Sequence, residues 1–211
     1  MKKYLIFDLD GTLIQSQTWI NKLIHDFFEA NEPEYTSTSD YIFSTTQWTP
    51  LKEQLILIFW EKQKEKVEYF TANIYQLIRE KWSHTFFPWV LEVVKKLSQD
   101  YTLFLTTGNS TPFATEVLKD GWIYECFEKV LGSDEILKGK PHLEIFRELS
   151  WDEEFYSHAI YTGDGPSDRA FAKEARIDFI HIWNEWKDVY EILSVKDIEP
   201  IIEQIKGTSA K

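Results

Sequence analysis

The feature that most constrains this 211-residue chain is a recurring short, unbroken apolar run that stops at a turn. Tyr4-Leu5-Ile6-Phe7 ends at Asp8-Leu9-Asp10-Gly11-Thr12, and similar runs recur at Tyr101 to Leu105, Lys129 to Leu131, His158 to Tyr161 and Asp178 to Ile182. A strand that is apolar without alternation must be covered on both faces, which is the condition of a parallel sheet with helices above and below it. Between the later runs lie segments long enough for a helix. Five strands with intervening helices predict an α/β fold with a doubly wound parallel sheet.

The first interval breaks this rhythm. About 90 residues separate Asp10 from Tyr101, where a single crossover helix needs far fewer. Within it, Ile20, Leu23, Ile24, Phe27 and Phe28 follow helical spacing, as do Leu51, Leu55, Ile58 and Phe59, and then Phe70, Ile74, Leu77 and Ile78. Thr49-Pro50 reads as a cap followed by proline at the first helical position, and the charged run Glu61 to Lys66 as a solvated helix face. An inserted, mostly α-helical domain is therefore expected at residues 15–84, with the core formed by 1–14 and 85–211. The return linker should lie near His84 to Pro88, and Trp89, Val90, Val93, Val94 and Leu97 should form the next helix face. Lys206 to Lys211 reads as a frayed tail.

Composition narrows the function classes. The 43% hydrophobic and 27% charged residues are those of a compact globular chain. Lys plus Arg total 23 and Asp plus Glu 35, so the formal net charge is −12. Nucleic acid would be repelled, while a small anionic substrate stays possible where local cations receive it. The lone Cys126 cannot form an internal disulfide and, with no matching histidine motif, reads as a packing residue in a reducing compartment. Tyr4 to Phe7 is too short for a signal peptide, and the strongest apolar run, Leu55 to Trp60, falls far short of the roughly 20 residues that span a bilayer. A cytoplasmic protein with no membrane association is expected. His25, His84, His142, His158 and His181 show no metal-ligand spacing, and the nine tryptophans are expected mainly in core and helical packing.

The chemistry concentrates at two of the turns. Asp8 and Asp10 are two residues apart at the end of the first run, so in extended chain both carboxylates project to one side. Asp164 and Asp168 follow another run in Gly163-Asp164-Gly165-Pro166-Ser167-Asp168, where glycines permit a tight loop and Pro166 can open a helix whose third residue is Asp168. In a doubly wound sheet the loops at the strands' carboxyl ends converge on one crevice. Two carboxylates about 4 Å apart repel by about 4 kcal/mol at an effective dielectric near 20, so four of them call for a cation. Hard oxygen donors without a histidine or cysteine cluster favour Mg²⁺. Lys140 in Gly139-Lys140-Pro141 offers positive charge, with Lys138 as a nearby rival, and Thr107-Gly108-Asn109 offers a hydroxyl and backbone N–H groups after a strand. Together they describe a phosphate site. Gly163-x-Gly165 is no dinucleotide fingerprint, because its third position is the acidic Asp168.

With these four segments in this order, the chain resembles the haloacid dehalogenase superfamily, specifically its magnesium-dependent phosphatases similar to phosphoglycolate phosphatase. The resemblance runs from the first strand to about Ile182 and includes a helical insertion where that family carries its cap, over a Rossmann-like core. It implies that Asp8 attacks phosphorus and becomes an aspartyl phosphate, while Asp10 protonates the leaving alcohol and later activates water. It implies a Mg²⁺ held by the Asp8 carboxylate, the Asp10 backbone carbonyl and Asp164, with Asp168 direct or through water. Thr107, the Gly108 N–H and Lys140 would receive the phosphoryl group of a small phosphorylated metabolite. Thr106 adjoins Thr107, and a register shift would exchange them; Thr107 is favoured because it directly precedes Gly108-Asn109. Trp19, Gln47 and Trp48 are candidate substrate contacts from the insert. One departure is that Phe87-Pro88-Trp89-Val90 stands where these enzymes often have Pro-Gly-Val. A sugar phosphomutase needs the same two aspartates, and a noncatalytic binding module would need none of this set; these remain the alternatives. Oligomeric state is not legible.

Overall fold

A computed structural model of the chain describes residues 2–46, 49, 51–60, 63–80, 84–132, 147, 150–182, 191–192 and 195–208. The apolar runs form β1 (Tyr4–Phe7), β2 (Thr102–Thr106), β3 (Phe127–Leu131), β4 (Ala159–Gly163) and β5 (Asp178–Ile182). A sixth strand, β6 (Glu191–Ile192), pairs with β5 and was not expected, because two residues leave no periodic signal. All neighbours are parallel and the spatial order is β3-β2-β1-β4-β5-β6. The order steps outward from β1 in one direction and then outward from β4 in the other. The reversal between β1 and β4 is where a doubly wound sheet opens its crevice.

Both faces of the central strands are covered, as their unbroken apolarity demanded. On one face Tyr4, Ile6, Phe104, Phe155, Tyr161 and Ala172 form a continuous core. All four residues of β1 are buried.

The chain divides into two compact units, Met1–Ile14 with Phe86–Lys211, and Gln15–Thr85. The second unit is built from helices α1 (Ser16–Asn31), α2 (Thr36–Thr45), α3 (Leu51–Phe59) and α4 (Lys64–Glu80). Its core is its own: Leu23, Ile24, Phe28, Phe43, Leu55, Ile58, Phe59, Phe70 and Ile74 cluster together, with Phe28, Phe59 and Phe70 in mutual ring contact at 4.8–5.7 Å. Leu51 begins α3, and Pro50, the residue expected to open it, lies outside the described residues. The outgoing and returning chains run side by side. Ile14 bridges Phe86 in antiparallel fashion, Gln15 N–H donates to Thr85 O at 2.7 Å, and Phe87 N–H donates to Leu13 O at 3.0 Å.

Trp89 corrects the expected helix face. It precedes α5 (Val90–Leu97) in a left-handed conformation, φ 71°, and points to solvent, while Val90, Val94 and Leu97 are buried. Trp60, Trp122 and Trp151 share this backbone, with φ of 62°, 55° and 52°, and are likewise exposed. Tryptophan was expected in packing; in these four places it packs little and sits on backbone that costs a residue with a Cβ about 1–2 kcal/mol.

Candidate active site

The crevice between β1 and β4 gathers the acidic residues of two loops. Asp8 directly follows β1, tied to the sheet by its N–H donating to Thr162 O at 2.9 Å. Gly11 turns the chain at φ +79°, and a Cβ there would overlap the Asp164 carboxylate; only glycine lets the two loops approach. Thr12, fully buried, bridges them, its hydroxyl lying 3.3 Å from both Asp8 Oδ2 and Asp164 Oδ1.

The second loop is set by the helix after β4, Pro166–Ala175, with Pro166 first and Asp168 third as the turn sequence predicts. Asp168 Oδ2 accepts the Gly165 N–H at 3.0 Å, and Oδ1 accepts the Tyr161 hydroxyl at 2.7 Å. A Cβ on Gly163 would overlap Asp168, so this glycine too is required by close approach. Behind the loop, His181 on β5 lies 3.1 Å from the Asp164 carbonyl through Nε2, which therefore carries the proton. Burial, and the carboxylates of Asp168, Asp8 and Asp164, push the Tyr161 phenol well above its ordinary range, so it stays a donor.

Asp8, Asp164 and Asp168 each present an oxygen within 4.8 Å of the others, and all three are buried. The donor set is all carboxylate oxygen with no sulfur or imidazole. It suits a hard divalent ion, and the mutual repulsion of three buried acids gives such an ion a reason to bind. Asp10 is not in this trio. Its Oδ2 accepts from Asn109 Nδ2 at 2.6 Å and from the Thr107 hydroxyl at 3.3 Å, which turns it toward the loop after β2. Thr107 Oγ1 in turn accepts the Asn109 N–H at 3.1 Å. Thr107, not Thr106, thus stands beside Asp10; the Thr106 hydroxyl is buried without a hydrogen-bond partner among the described residues. Gly108 is exposed, and a Cβ there would meet nothing within 4 Å, so its backbone is open to an approaching group.

Lys140 and its rival Lys138, together with Gln47 and Trp48, lie outside the described residues. Trp19 lines a partly open pocket of about 430 Å³ on the helical unit, with Phe27, Leu77, Lys22, Asp26 and Glu80. Sequence reasoning gave no side-chain role to Thr12, Asn109, Tyr161 or His181. The first two sit inside recognised segments and carried a signal in their position. The last two carried none, because their partners depend on strand register.

A parallel α/β sheet with an acidic, oxygen-only centre at its switch point and a helical insertion after β1 defines a class of hydrolytic enzyme fold. The chain belongs to the haloacid dehalogenase-like hydrolase family, whose sequence model matches residues 5–182. It is 25% identical over 185 residues to a phosphoglycolate phosphatase of Rhodobacter capsulatus, covering 85% of this chain and 84% of that protein. Its fold is similar to a haloacid dehalogenase-like hydrolase from Streptococcus pneumoniae (TM-score 0.72, 21% identity, 95% and 98% of the two chains). It is also similar to a subfamily IA hydrolase of the superfamily from Geobacter sulfurreducens (TM-score 0.69, 19% identity, 95% and 96%). A third likeness is to YfnB from Bacillus subtilis, a hydrolase of this superfamily whose structure was determined bound to magnesium (TM-score 0.69, 17% identity, 95% and 98%). Among the described residues no helix is long and apolar enough to cross a membrane.

Proposed function

We propose that the protein is a magnesium-dependent phosphomonoester hydrolase that acts on a small phosphorylated metabolite through an aspartyl phosphate on Asp8. The observation that carries this reading is the buried trio Asp8, Asp164 and Asp168, with Asp10 held beside it by Asn109 and Thr107. The phosphatase relative and the magnesium-bound structural neighbour support it from outside the chain.

Asp8, Asp164 and Asp168 would hold the ion, with the Asp10 carbonyl completing the set. When bound, the ion supplies positive charge against the phosphoryl oxygens and offsets the carboxylates' repulsion. An Asp8 oxygen attacks phosphorus, the P–O bond to the alcohol breaks, and the leaving oxygen takes a proton from Asp10. Two donors, Asn109 Nδ2 and the Thr107 hydroxyl, hold Asp10 Oδ2 and so orient this carboxyl group. Asp10, now a carboxylate, takes a proton from water as the water oxygen attacks phosphorus. The Asp8 oxygen–phosphorus bond breaks, inorganic phosphate leaves and both aspartates return to their starting states. Thr107, the Gly108 N–H and Lys140 would receive the phosphoryl oxygens. Substrate choice is assigned to the helical insert.

The test is release of inorganic phosphate from a panel of sugar phosphates, nucleotides, phosphoglycolate and pyridoxal phosphate with Mg²⁺. Activity is expected to vanish on chelation and in Asp8→Asn. Isomerisation of a sugar phosphate without free phosphate would replace this reading by a mutase, and no turnover across the panel would overturn it.

A further inference from the structure

We propose that Tyr161 and His181 are positioning residues for the ion site, holding from two adjacent strands the side chain of Asp168 and the backbone of Asp164. The inference rests on the reading of Asp8, Asp164 and Asp168 as the carboxylates that hold a divalent ion.

Packing alone explains neither residue. The Tyr161 ring is fully buried against Phe171 at 5.6 Å and Phe179 at 6.2 Å, contacts a phenylalanine would make equally well. Its hydroxyl is accounted for by the 2.7 Å bond to Asp168. With Gly165 N–H on the other oxygen, that carboxylate is gripped at both ends and cannot turn about its own axis. His181 is 2% exposed between Ile180 and Ile182, both buried, and stacks on Phe179 at 5.8 Å. An imidazole in that position is costly unless its N–H is used, and the Asp164 carbonyl uses it. The loop so held contains Gly163 and Gly165 and would otherwise be the freest part of the site. Groups that orient metal-holding side chains from behind typically change metal affinity by about 10–100-fold when removed.

The experiment titrates Mn²⁺, as a probe for Mg²⁺, into the full-length enzyme without substrate and follows the free ion by electron paramagnetic resonance. Tyr161→Phe and His181→Leu are expected to bind Mn²⁺ about 10–100-fold more weakly. His181→Gln, which keeps an N–H donor, is expected to recover most of the loss. At saturating Mg²⁺ the KM for a phosphomonoester should stay near wild type. Wild-type Mn²⁺ affinity in Tyr161→Phe and His181→Leu, with only a lower Tm, overturns the proposal. Failure of the wild-type enzyme to bind Mn²⁺ refutes the ion-site reading itself and the positioning role with it.

The four left-handed tryptophans carry a second, independent inference. We infer that positions 60, 89, 122 and 151 are glycine in the protein as its native host makes it. Trp60, Trp89, Trp122 and Trp151 are 73%, 57%, 85% and 92% exposed, so their rings gain little from burial while their backbone is of the kind glycine adopts without strain. Of all the other described residues, only Arg176 and Gly11 have positive φ. The chain has eight glycines and nine tryptophans, where about 15 glycines is usual for this length. Trp89 also stands at the glycine of the Pro-Gly-Val pattern. The codon UGA is read as tryptophan in some genetic codes and as glycine in others, which provides the route. Peptide mass analysis of the protein from its native host is expected to give glycine at all four positions, and tryptophan there overturns the inference. Recombinant protein with the four Trp→Gly changes should melt higher, by about 2–4 °C per position; an unchanged or lower Tm also counts against it.

Discussion

At the scale of single residues, the site separates two acids that the sequence sets two positions apart. Asp8 belongs to the buried trio, while Asp10 is turned away by a 2.6 Å bond from Asn109 and a longer one from Thr107. Asn109 therefore does more than extend a loop: it holds Asp10 Oδ2. Asn109→Ala is expected to lower kcat about 100-fold, within the range for a misplaced general acid, with little change in KM. Steady-state kinetics on a phosphomonoester checks this, and a KM effect alone would assign Asn109 to binding instead. The aspartates were legible because each lies in a compact run of turn and acid. Tyr161 and His181 were not, since a tyrosine or histidine within an apolar strand carries no sign of what it faces until register sets Tyr161 against Phe179 and Gly163 against His181.

At the scale of elements, the start of the sheet is fastened by a polar knot beside β1. Asp152 accepts from His158 Nδ1 at 2.8 Å, Lys3 Nζ at 3.1 Å, the Tyr4 hydroxyl at 3.1 Å and the Glu154 N–H at 3.0 Å. These donors, His158 foremost, hold its carboxyl well below the usual carboxylate range. Because the folded value is depressed, the stabilisation is complete above the unfolded pKa near 3.9 and is lost as pH falls toward the folded value. Asp152→Asn should therefore lower Tm at pH 7 and flatten its fall below about pH 4, as seen in a Tm–pH series. An unchanged acid limb would remove Asp152 from the account. Element type was well read from the sequence and element ends less so. β2 and β4 each begin one residue later than expected, β3 begins two earlier, and the two-residue β6 left no pattern to find.

At the scale of the whole molecule, two cores share one chain. The aromatic cluster of Phe28, Phe59 and Phe70 belongs entirely to the helical unit. Phe70→Ala should cost about 3–5 kcal/mol there. Amide hydrogen exchange is expected to speed up in α1, α3 and α4 while β1, β2 and β4 keep their protection, because cooperative units open separately. Equal loss of protection in the sheet would mean that the units unfold as one. The insertion itself was legible from the length of the first interval, whereas Lys140 remains an expectation of the sequence alone.

The adjacency of Ile14 and Phe86 gives that insertion a particular freedom. A stretch that departs and comes back through the same doorway alters no strand pairing, so Gln15 to Thr85 can be lengthened, shortened or exchanged for another fold without rewiring the sheet. Selection can then redraw the insert while leaving the acids of the crevice where they are.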